Sequence, residues 1–380
     1  MKPIELASDG LMLRAWRDGD ADGVFRACQD PLIQRWTTVP VPYAREHAEH
    51  LVGQYTATAW AAEIAAPLGV FDARTGDLLG ALGLVELDRS TRTGEIGTWV
   101  APWARGRDVA ERAGRAVAHW SFEVLRLRQL TWRVQVGNHA SRLIAERIGF
   151  TFDGVSRALL KDRDGELTDG WRGVLLPGEV RDVAPPWVAP GGPGALRAAT
   201  FGAPPERLPA GPVTLRQPAE RDLDEMLATC RDPEAARWTT VPVPYLRVDA
   251  VAFLRDRVPG GWTRGTAAGF AIADPEDRFI GTIDLRIDLA DPASAEIGYL
   301  VAPQARGMGY ATAAVRAICA WGFTALGLTR VVWRAHLGND ASRRVAEKAG
   351  FVMEGVQRQG CEQRGERRDA WVAALLPSDR

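Results

Sequence analysis

The sequence predicts two tandem α/β (α+β) domains, each with a mixed, mostly antiparallel central sheet flanked by helices. Three observations predict it. First, Arg35-Trp36-Thr37-Thr38-Val39-Pro40-Val41-Pro42-Tyr43 recurs letter for letter from Arg237 to Tyr245, an offset of 202. Glu95-Ile96-Gly97 and Glu296-Ile297-Gly298, Asn138 and Asn339, and Gly149-Phe150 and Gly350-Phe351 keep an offset of 201. A period this long marks a duplicated domain, not a solenoid. Second, 380 residues, 46% of them apolar and 25% charged, suffice for two full cores. Third, each copy alternates strand-like and helix-like periodicity in the same order. Between the copies, Pro185-Pro186, Gly191-Gly192-Pro193-Gly194 and Pro204-Pro205 read as an extended, semi-rigid linker. The expected boundaries are 1–178, 179–211 and 212–380.

Within each copy, a first strand (Leu11–Ala15; Val213–Gln217) leads to a helix ending near Arg35 or Arg237. The repeated Trp-Thr-Thr-Val-Pro-Val-Pro-Tyr loop follows, then a helix to about Tyr55 or Val258. Two antiparallel strands are next, broken by turns at Asp72–Asp77 and Asp274–Asp277, where aspartate and glycine favour reversal. An alternating strand then runs through Glu296-Ile297-Gly298-Tyr299-Leu300-Val301 into Pro303 and a glycine-bearing loop. The helix after the loop carries Ala314, Ala317, Ile318 and Trp321 at helical spacing, matched by Ala113, Ala116, Val117 and Trp120; that face packs on a sheet. A strand (Leu130–Val134; Arg330–Ala335), a helix opening near Asn138 or Asn339, and two final strands complete the unit. The last strand takes Asp169 and Trp171, or Asp369 and Trp371.

Composition excludes several classes. A net charge of −1 gives no electrostatic case for nucleic acid or a membrane surface. No apolar run reaches a bilayer span, and Met1-Lys2-Pro3-Ile4-Glu5 lacks a signal-peptide core, so a cytoplasmic protein is expected. The four cysteines (Cys28, Cys230, Cys319, Cys361) have neither C-x-x-C spacing nor nearby histidines, so no metal is expected. Cys28 and Cys230 read as small core residues.

The loop Gln304-Ala305-Arg306-Gly307-Met308-Gly309 carries the chemistry. A strand, a loop of free backbone N–H groups and a helix N-terminus make an anion site. Glycines at 307 and 309 permit close approach and unusual φ values, and Arg306 offers a charged donor. A plain tight turn is the alternative reading. The sequence contains no G-x-x-x-x-G-K-[ST], and Gly307-x-Gly309-x-x-Thr312 lacks the third glycine of a dinucleotide fold.

This loop resembles the Q/R-x-x-G-x-G/A pyrophosphate loop of the GCN5-related N-acetyltransferases. With Asn339-x-x-Ser342 and Gly350-Phe351 behind it and Glu296-Ile297-Gly298-Tyr299 before it, the set is similar to the RimJ/RimL-like branch. The resemblance covers each half nearly end to end. It implies acetyl-CoA as co-substrate, its diphosphate held by Gln304, Arg306, Gly307, Met308, Gly309, Tyr310 and Ala311. It further implies a bulge at Gly298 that splays two strands, so that the pantetheine arm pairs with exposed amides as an added strand. The amide near Val301 would then serve as oxyanion donor. Glu296 is the expected general base for the attacking amine, with pairing to an arginine the alternative. Ser342 is the expected proton source for the leaving thiolate, and Asn339 orients the cofactor arm; helix N-capping is the alternative for both. Trp238 and Tyr245 of the repeated loop are expected to wall the acceptor pocket, while Tyr299 and Tyr310 are read as packing residues.

The first copy departs from the pattern. Its loop is Trp103-Ala104-Arg105-Gly106-Arg107-Asp108, and a carboxylate in place of the second glycine repels a diphosphate. The expected activity is therefore acetyl transfer to a primary amine by direct attack in the C-terminal copy. An acyl-CoA-binding scaffold or sensor with decayed catalysis is the alternative. The acceptor would be a small-molecule amine or a peptide N-terminus, and the chain a pseudo-dimeric monomer or a homodimer.

Overall fold

The computed structural model describes residues 1–162 and 164–379 and divides into two compact units, Met1–Ala189 and Pro190–Arg380. Unit 1 contains strands β1 (Glu5–Ser8), β2 (Leu11–Ala15), β3 (Leu68–Asp72), β4 (Leu78–Asp88), β5 (Thr93–Val100), β6 (Gln129–Gln135), β7 (Thr151–Lys161) and β8 (Leu167–Leu175). Its helices are α1 (Ala21–Ala27), α2 (Pro31–Trp36), α3 (Arg45–His50), α4 (Thr56–Ala62), α5 (Val109–Glu123) and α6 (His139–Ile148). Unit 2 opens with α7 (Pro193–Gly202) and repeats the order. Its strands are β9 (Arg207–Ala210), β10 (Val213–Arg216), β11 (Ala267–Ala273), β12 (Phe279–Ile287), β13 (Ser294–Val301), β14 (Arg330–His336), β15 (Val352–Gln363) and β16 (Glu366–Leu375). Its remaining helices are α8 (Leu223–Arg231), α9 (Pro233–Trp238), α10 (Arg247–Ala252), α11 (Val258–Arg264), α12 (Tyr310–Ala325) and α13 (Asp340–Ala349).

Each unit holds one eight-stranded sheet, ordered β1-β2-β3-β4-β5-β6-β8-β7 and β9-β10-β11-β12-β13-β14-β16-β15. The final strand in sequence, β8 or β16, thus lies inside the sheet, and β7 or β15 forms the edge. All neighbours are antiparallel except β5–β6 and β13–β14. Those pairs are parallel because α5 or α12 carries the chain back across the sheet between them.

Three stretches differ from the sequence reading. The four-residue strands β1 and β9 were not expected; they are too short to show alternation. The helices expected to end near Tyr55 and Val258 continue to Ala62 and Arg264 through π-helical turns at Leu51–Tyr55 and Phe253–Arg257. Where an extended linker was expected at 179–211, the chain forms α7 and β9. Pro193 starts α7 at a position where its missing N–H costs nothing. Phe201 then buries edge-on against Trp262, ring centroids 5.6 Å apart. Thr200 Oγ1 donates to the Ala325 carbonyl at 2.6 Å.

The period-2 alternation of the strands sorts unit 2 into two faces. Ile283, Leu285, Ala295, Ile297, Val331 and Trp333 join the core beneath α12 and α13. Thr282, Asp284, Arg286, Glu296, Gly298, Leu300, Arg334 and His336 fall on the opposite face, toward α8 to α11. A smaller apolar cluster there includes Met226, Cys230, Tyr245, Leu254 and Ala271. Cys28 and Cys230 are buried, and burial pushes both thiols up, Cys28 to about 11. Among the described residues, no helix is long and apolar enough to cross a membrane.

Phe201→Ala tests whether α7 belongs to unit 2. Loss of the buried ring should cost about 3–5 kcal/mol in urea unfolding, whereas a change in an extended linker would stay within about 0.5 kcal/mol.

Candidate active site at a strand fork

In unit 2 the parallel pairing of β13 with β14 runs from Ser294/Arg330 to Ile297/Trp333 and then stops, although both strands continue. The two strands fork. On the other side, β13 stays in register with β12 from Ala295/Ile287 to Val301/Gly281 without a shift. The bulge expected at Gly298 is therefore absent, and the opening comes from lost pairing on the β14 side. Gly298 serves close approach instead. A Cβ there would lie 2.6 Å from Arg286 Nη1 and 2.7 Å from Asp284 Oδ1.

Ladder bonds alternate in direction along a strand. The Ala302 N–H bonds the Ile280 carbonyl on the β12 side at 2.8 Å, so the Tyr299 and Val301 amides point the other way, into the fork. Beyond Val301 the loop turns through Gly307 (φ +77°) and Gly309 (φ +80°). Both would send a Cβ into open space, so neither glycine is dictated by packing. Gly309 precedes the first turn of α12, and the first intrahelical bond is Ala313 N–H to the Gly309 carbonyl. The amides of Tyr310, Ala311 and Thr312 thus have no partner within the helix. Met308 is exposed. Arg306 is already occupied: Nε donates to the Val301 carbonyl (3.2 Å) and Nη2 to Asp232 Oδ2 (2.5 Å).

A cavity of about 1070 Å³ opens at the fork and is lined from both faces of the sheet. On one face lie Asp284, Arg286, Glu296, Arg334 and His336. Arg286 bridges the two carboxylates, Nη1 to Asp284 Oδ1 at 3.0 Å and Nη2 to Glu296 Oε1 at 2.8 Å. Arg334 takes the other Glu296 oxygen. Both oxygens of the expected general base are thus held by guanidinium groups. Burial pushes the Asp284 carboxyl upward, and Arg286 pulls it partly back.

On the other face, Asn339 caps α13 by accepting the Ser342 N–H at 3.1 Å. Both residues also line the cavity, so capping and a place in the site coexist. Ser342 Oγ lies 2.8 Å from Tyr299 Oη and accepts the Trp333 indole N–H at 3.2 Å. Tyr299 therefore packs, as read from sequence, and also touches the expected proton source. Burial pushes its phenol upward. Tyr310 packs against the core at the start of α12.

Trp238 and Tyr245 line the cavity. Trp238 donates to Glu234 Oε2 at 2.8 Å. Their loop is clasped by the β15–β16 hairpin: Gln363 Nε2 donates to the Arg237 and Thr239 carbonyls at 3.0 and 2.8 Å, and Arg364 to that of Val241 at 2.9 Å.

Unit 1 repeats the frame with different contents. The β5–β6 pairing stops at Glu95/Thr131. Glu95 pairs with Arg133, and Trp132 donates to Ser141 Oγ at 3.0 Å. A cavity of about 500 Å³ lies against the paired start of β5 and β6, lined by Thr93, Glu95, Gln129, Thr131 and Arg133. Gly83 stands opposite Gly97, where unit 2 has Asp284 opposite Gly298. Space over Gly97 is taken by Val85, whose Cγ1 would lie 2.3 Å from an added Cβ. Asp108 keeps the left-handed conformation (φ +52°) at the start of α5, which aspartate tolerates better than most residues.

Asp284, Arg286, Arg334 and His336 were missed by the sequence reading. Their signal was there: strand alternation puts each on the Glu296 face once the register is known.

The profile of the acetyltransferase (GNAT) domain matches residues 10–151 and again 213–352, and the chain belongs to that family as a tandem pair. It is an N-acetyltransferase of the GNAT family. Among its relatives, the uncharacterized N-acetyltransferase YoaA of Bacillus subtilis is 34% identical over 170 residues, 43% of this chain and 93% of YoaA. YdaF of Bacillus subtilis, provisionally named a ribosomal N-acetyltransferase, is 37% identical over 101 residues, 27% of this chain. That match spans about half of YdaF (52%). RimJ of Mycobacterium smegmatis, solved with CoA-disulfide, is 26% identical with a TM-score of 0.41, over 46% of this chain and 86% of RimJ.

His336 gives this face a measurable pH signature. It is buried, its Nδ1 has no hydrogen-bond partner, and burial, with Arg368, lowers its pKa from the ordinary 6.5. The unfolded chain then takes the proton first. The histidine's contribution is intact above pH 6.5 and is lost as pH falls from there through the lowered value. NMR titration should place this imidazole below 6.5, and His336→Gln should flatten the acid limb of unit 2 stability.

Proposed function

We propose that unit 2 transfers an acetyl group from acetyl-CoA to a primary amine by direct attack, and that unit 1 binds acetyl-CoA weakly or not at all. The reading is carried by one contrast in the loop before the helix: Gly309 (φ +80°) leaves the amides of unit 2 open to an anion, and Asp108 (φ +52°) sets a carboxylate at the same place in unit 1.

The reading assigns each group a role. Amides from Gly307 to Ala311, aided by Gln304 and the start of α12, take the diphosphate, and Met308 leaves their approach open. Arg306 ties the loop to Val301 and Asp232 and lends it positive charge. The pantetheine arm lies along β13, paired with the Tyr299 and Val301 amides as an extra strand, one of which polarises the thioester carbonyl. Asn339 orients the arm from α13. The thiolate leaves toward Ser342, whose hydroxyl, bonded to Tyr299, passes it a proton. The amine enters past Trp238 and Tyr245, on a small molecule or a peptide N-terminus; the ribosomal name of YdaF favours the latter. A cysteine acyl-enzyme is not invoked: Cys319 is buried on the core side of α12, and burial raises the thiols of Cys230 and Cys361, which line the cavity, away from the thiolate form a nucleophile needs.

In unit 1, Asp108 keeps the loop's shape but sets a carboxylate where the diphosphate would bind. Titration of the full chain with acetyl-CoA should therefore show one equivalent bound. Gly309→Asp should weaken it about 100-fold through lost charge complementarity, with unfolding unchanged because Asp108 already occupies that conformation in unit 1. Two equivalents, or undiminished binding by the variant, would overturn the assignment. Tight binding without thiol release, for any amine tried, would favour the scaffold reading.

A further inference from the structure

We propose that Asp284, not Glu296, receives the proton of the attacking amine, and that Glu296 is a structural rivet at the root of the fork. The proposal rests on unit 2 being an acetyltransferase.

The first argument is occupancy. Glu296 spends both carboxylate oxygens on Arg286 and Arg334, at the last turns of pairing before β13 leaves β14. An ion pair there joins β12, β13 and β14 where the sheet opens. Asp284 is held more lightly: one Arg286 nitrogen lies 3.0 Å from Oδ1 and 3.4 Å from Oδ2, and the Gly298 amide donates to the carboxylate, so accepting sites on its oxygens remain.

The second argument is placement. Gly298 is the first residue of β13 past the pairing, and the Asp284 carboxylate lies directly over its Cα. A thioester drawn along β13 toward the root of the fork ends beneath that carboxylate. A glycine at 298 is what lets the carboxylate come so close.

The third argument comes from the second copy in the same chain. Unit 1, with its diphosphate loop spoiled by Asp108, still holds Glu95 against Arg133. A glutamate–arginine pair kept where the cofactor loop is lost serves the sheet. At the Asp284 position unit 1 has Gly83, and Val85 fills the space over Gly97. The carboxylate over the fork is present only in the copy with the intact loop.

The titratable groups around the Asp284 cavity include Asp249, His336, Cys361 and Glu362. The strand of Asp284 itself contributes Arg286; β13 contributes Glu296; β14 contributes Arg334. The facing residue on β11 is the uncharged Gly269, and Asp256, Arg257 and Arg264 line the same cavity from the helical side. Burial, opposed by Arg286, raises the carboxyl's proton affinity, which suits a group that must accept a proton near neutral pH.

The step balances as follows. The acceptor arrives as an ammonium ion, and one proton moves to Asp284 Oδ, freeing the nitrogen lone pair. The nitrogen bonds to the thioester carbon, giving a tetrahedral adduct with N–H₂⁺. The carbon–sulfur bond breaks as the second nitrogen proton reaches the leaving thiolate by way of the Ser342 hydroxyl. Asp284 then returns its proton to water, leaving the amide and free coenzyme A.

The test uses the full chain and its Asp284→Asn and Glu296→Gln variants, with acetyl-CoA as donor and 2-phenylethylamine and the peptide Ala-Gly-Gly as probe acceptors. Acetyl-CoA affinity, read by titration, should change less than threefold in Asp284→Asn. Turnover at pH 7 should fall about 100-fold or more, within the usual range for loss of a general base. Its pH profile should lose the enzyme's own inflection and follow only the deprotonation of the acceptor amine, at about pH 8 for the peptide and higher for 2-phenylethylamine. Glu296→Gln should keep the wild-type pH profile, lose less than tenfold in turnover and unfold at a lower temperature. The opposite pattern, with Glu296→Gln losing the inflection and Asp284→Asn keeping it, would overturn the proposal. A failure of the parent reading would look different: the wild-type chain itself would not bind acetyl-CoA.

Discussion

A strand that leaves its neighbour must do something with its backbone. Past Ile297 and Trp333, the amides of Tyr299 and Val301 no longer face β14, and polar groups of this kind are rarely left without a partner in a protein interior. The fork is therefore a standing demand for an extended ligand with acceptors at strand spacing. Everything else in unit 2 follows from that demand. The loop after β13 brings the start of α12 to the open end, the charged cluster pins the root, and α13 sets Asn339 and Ser342 on the far side.

The two units are a comparison made within one chain. Both keep the parallel crossing, the glutamate–arginine pair at the root, the asparagine cap and the tryptophan–serine bond. These are what the fold needs to hold a fork open. Unit 1 differs along the loop and on the face over the fork. Asp108 replaces Gly309, Thr98 replaces Tyr299, and Gly83 replaces Asp284. A duplicated frame with different contents is the economical description.

Much of this was legible in the sequence, for identifiable reasons. The repeat fixed two domains, and the strong alternation around Glu296 and the glycines of the loop located the strand, the loop and the helix behind it. What stayed hidden depends on register. Gly298 looked like a bulge because a strand glycine has two common causes, and only the pairing with β12 separates them. Asp284 could not be singled out, because its partner across the ladder is known only once the strands are aligned. Glu296 carried a base's signature, yet its arginine partners come from two strands, one of them 38 residues away. The proline- and glycine-rich segment concealed α7, because its composition reads as linker while one buried ring, Phe201, decides the matter.

The clasp between the edge hairpin and the Trp238–Val241 loop couples two distant parts of unit 2. A single carboxamide, that of Gln363, fastens a loop more than 120 residues upstream. The cavity wall that Trp238 and Tyr245 contribute is thus shaped by the free margin of the sheet, where insertions and exchanges disturb the core least. Exchanges at this hem can reshape that wall while the fork, its loop and its charges stay as they are.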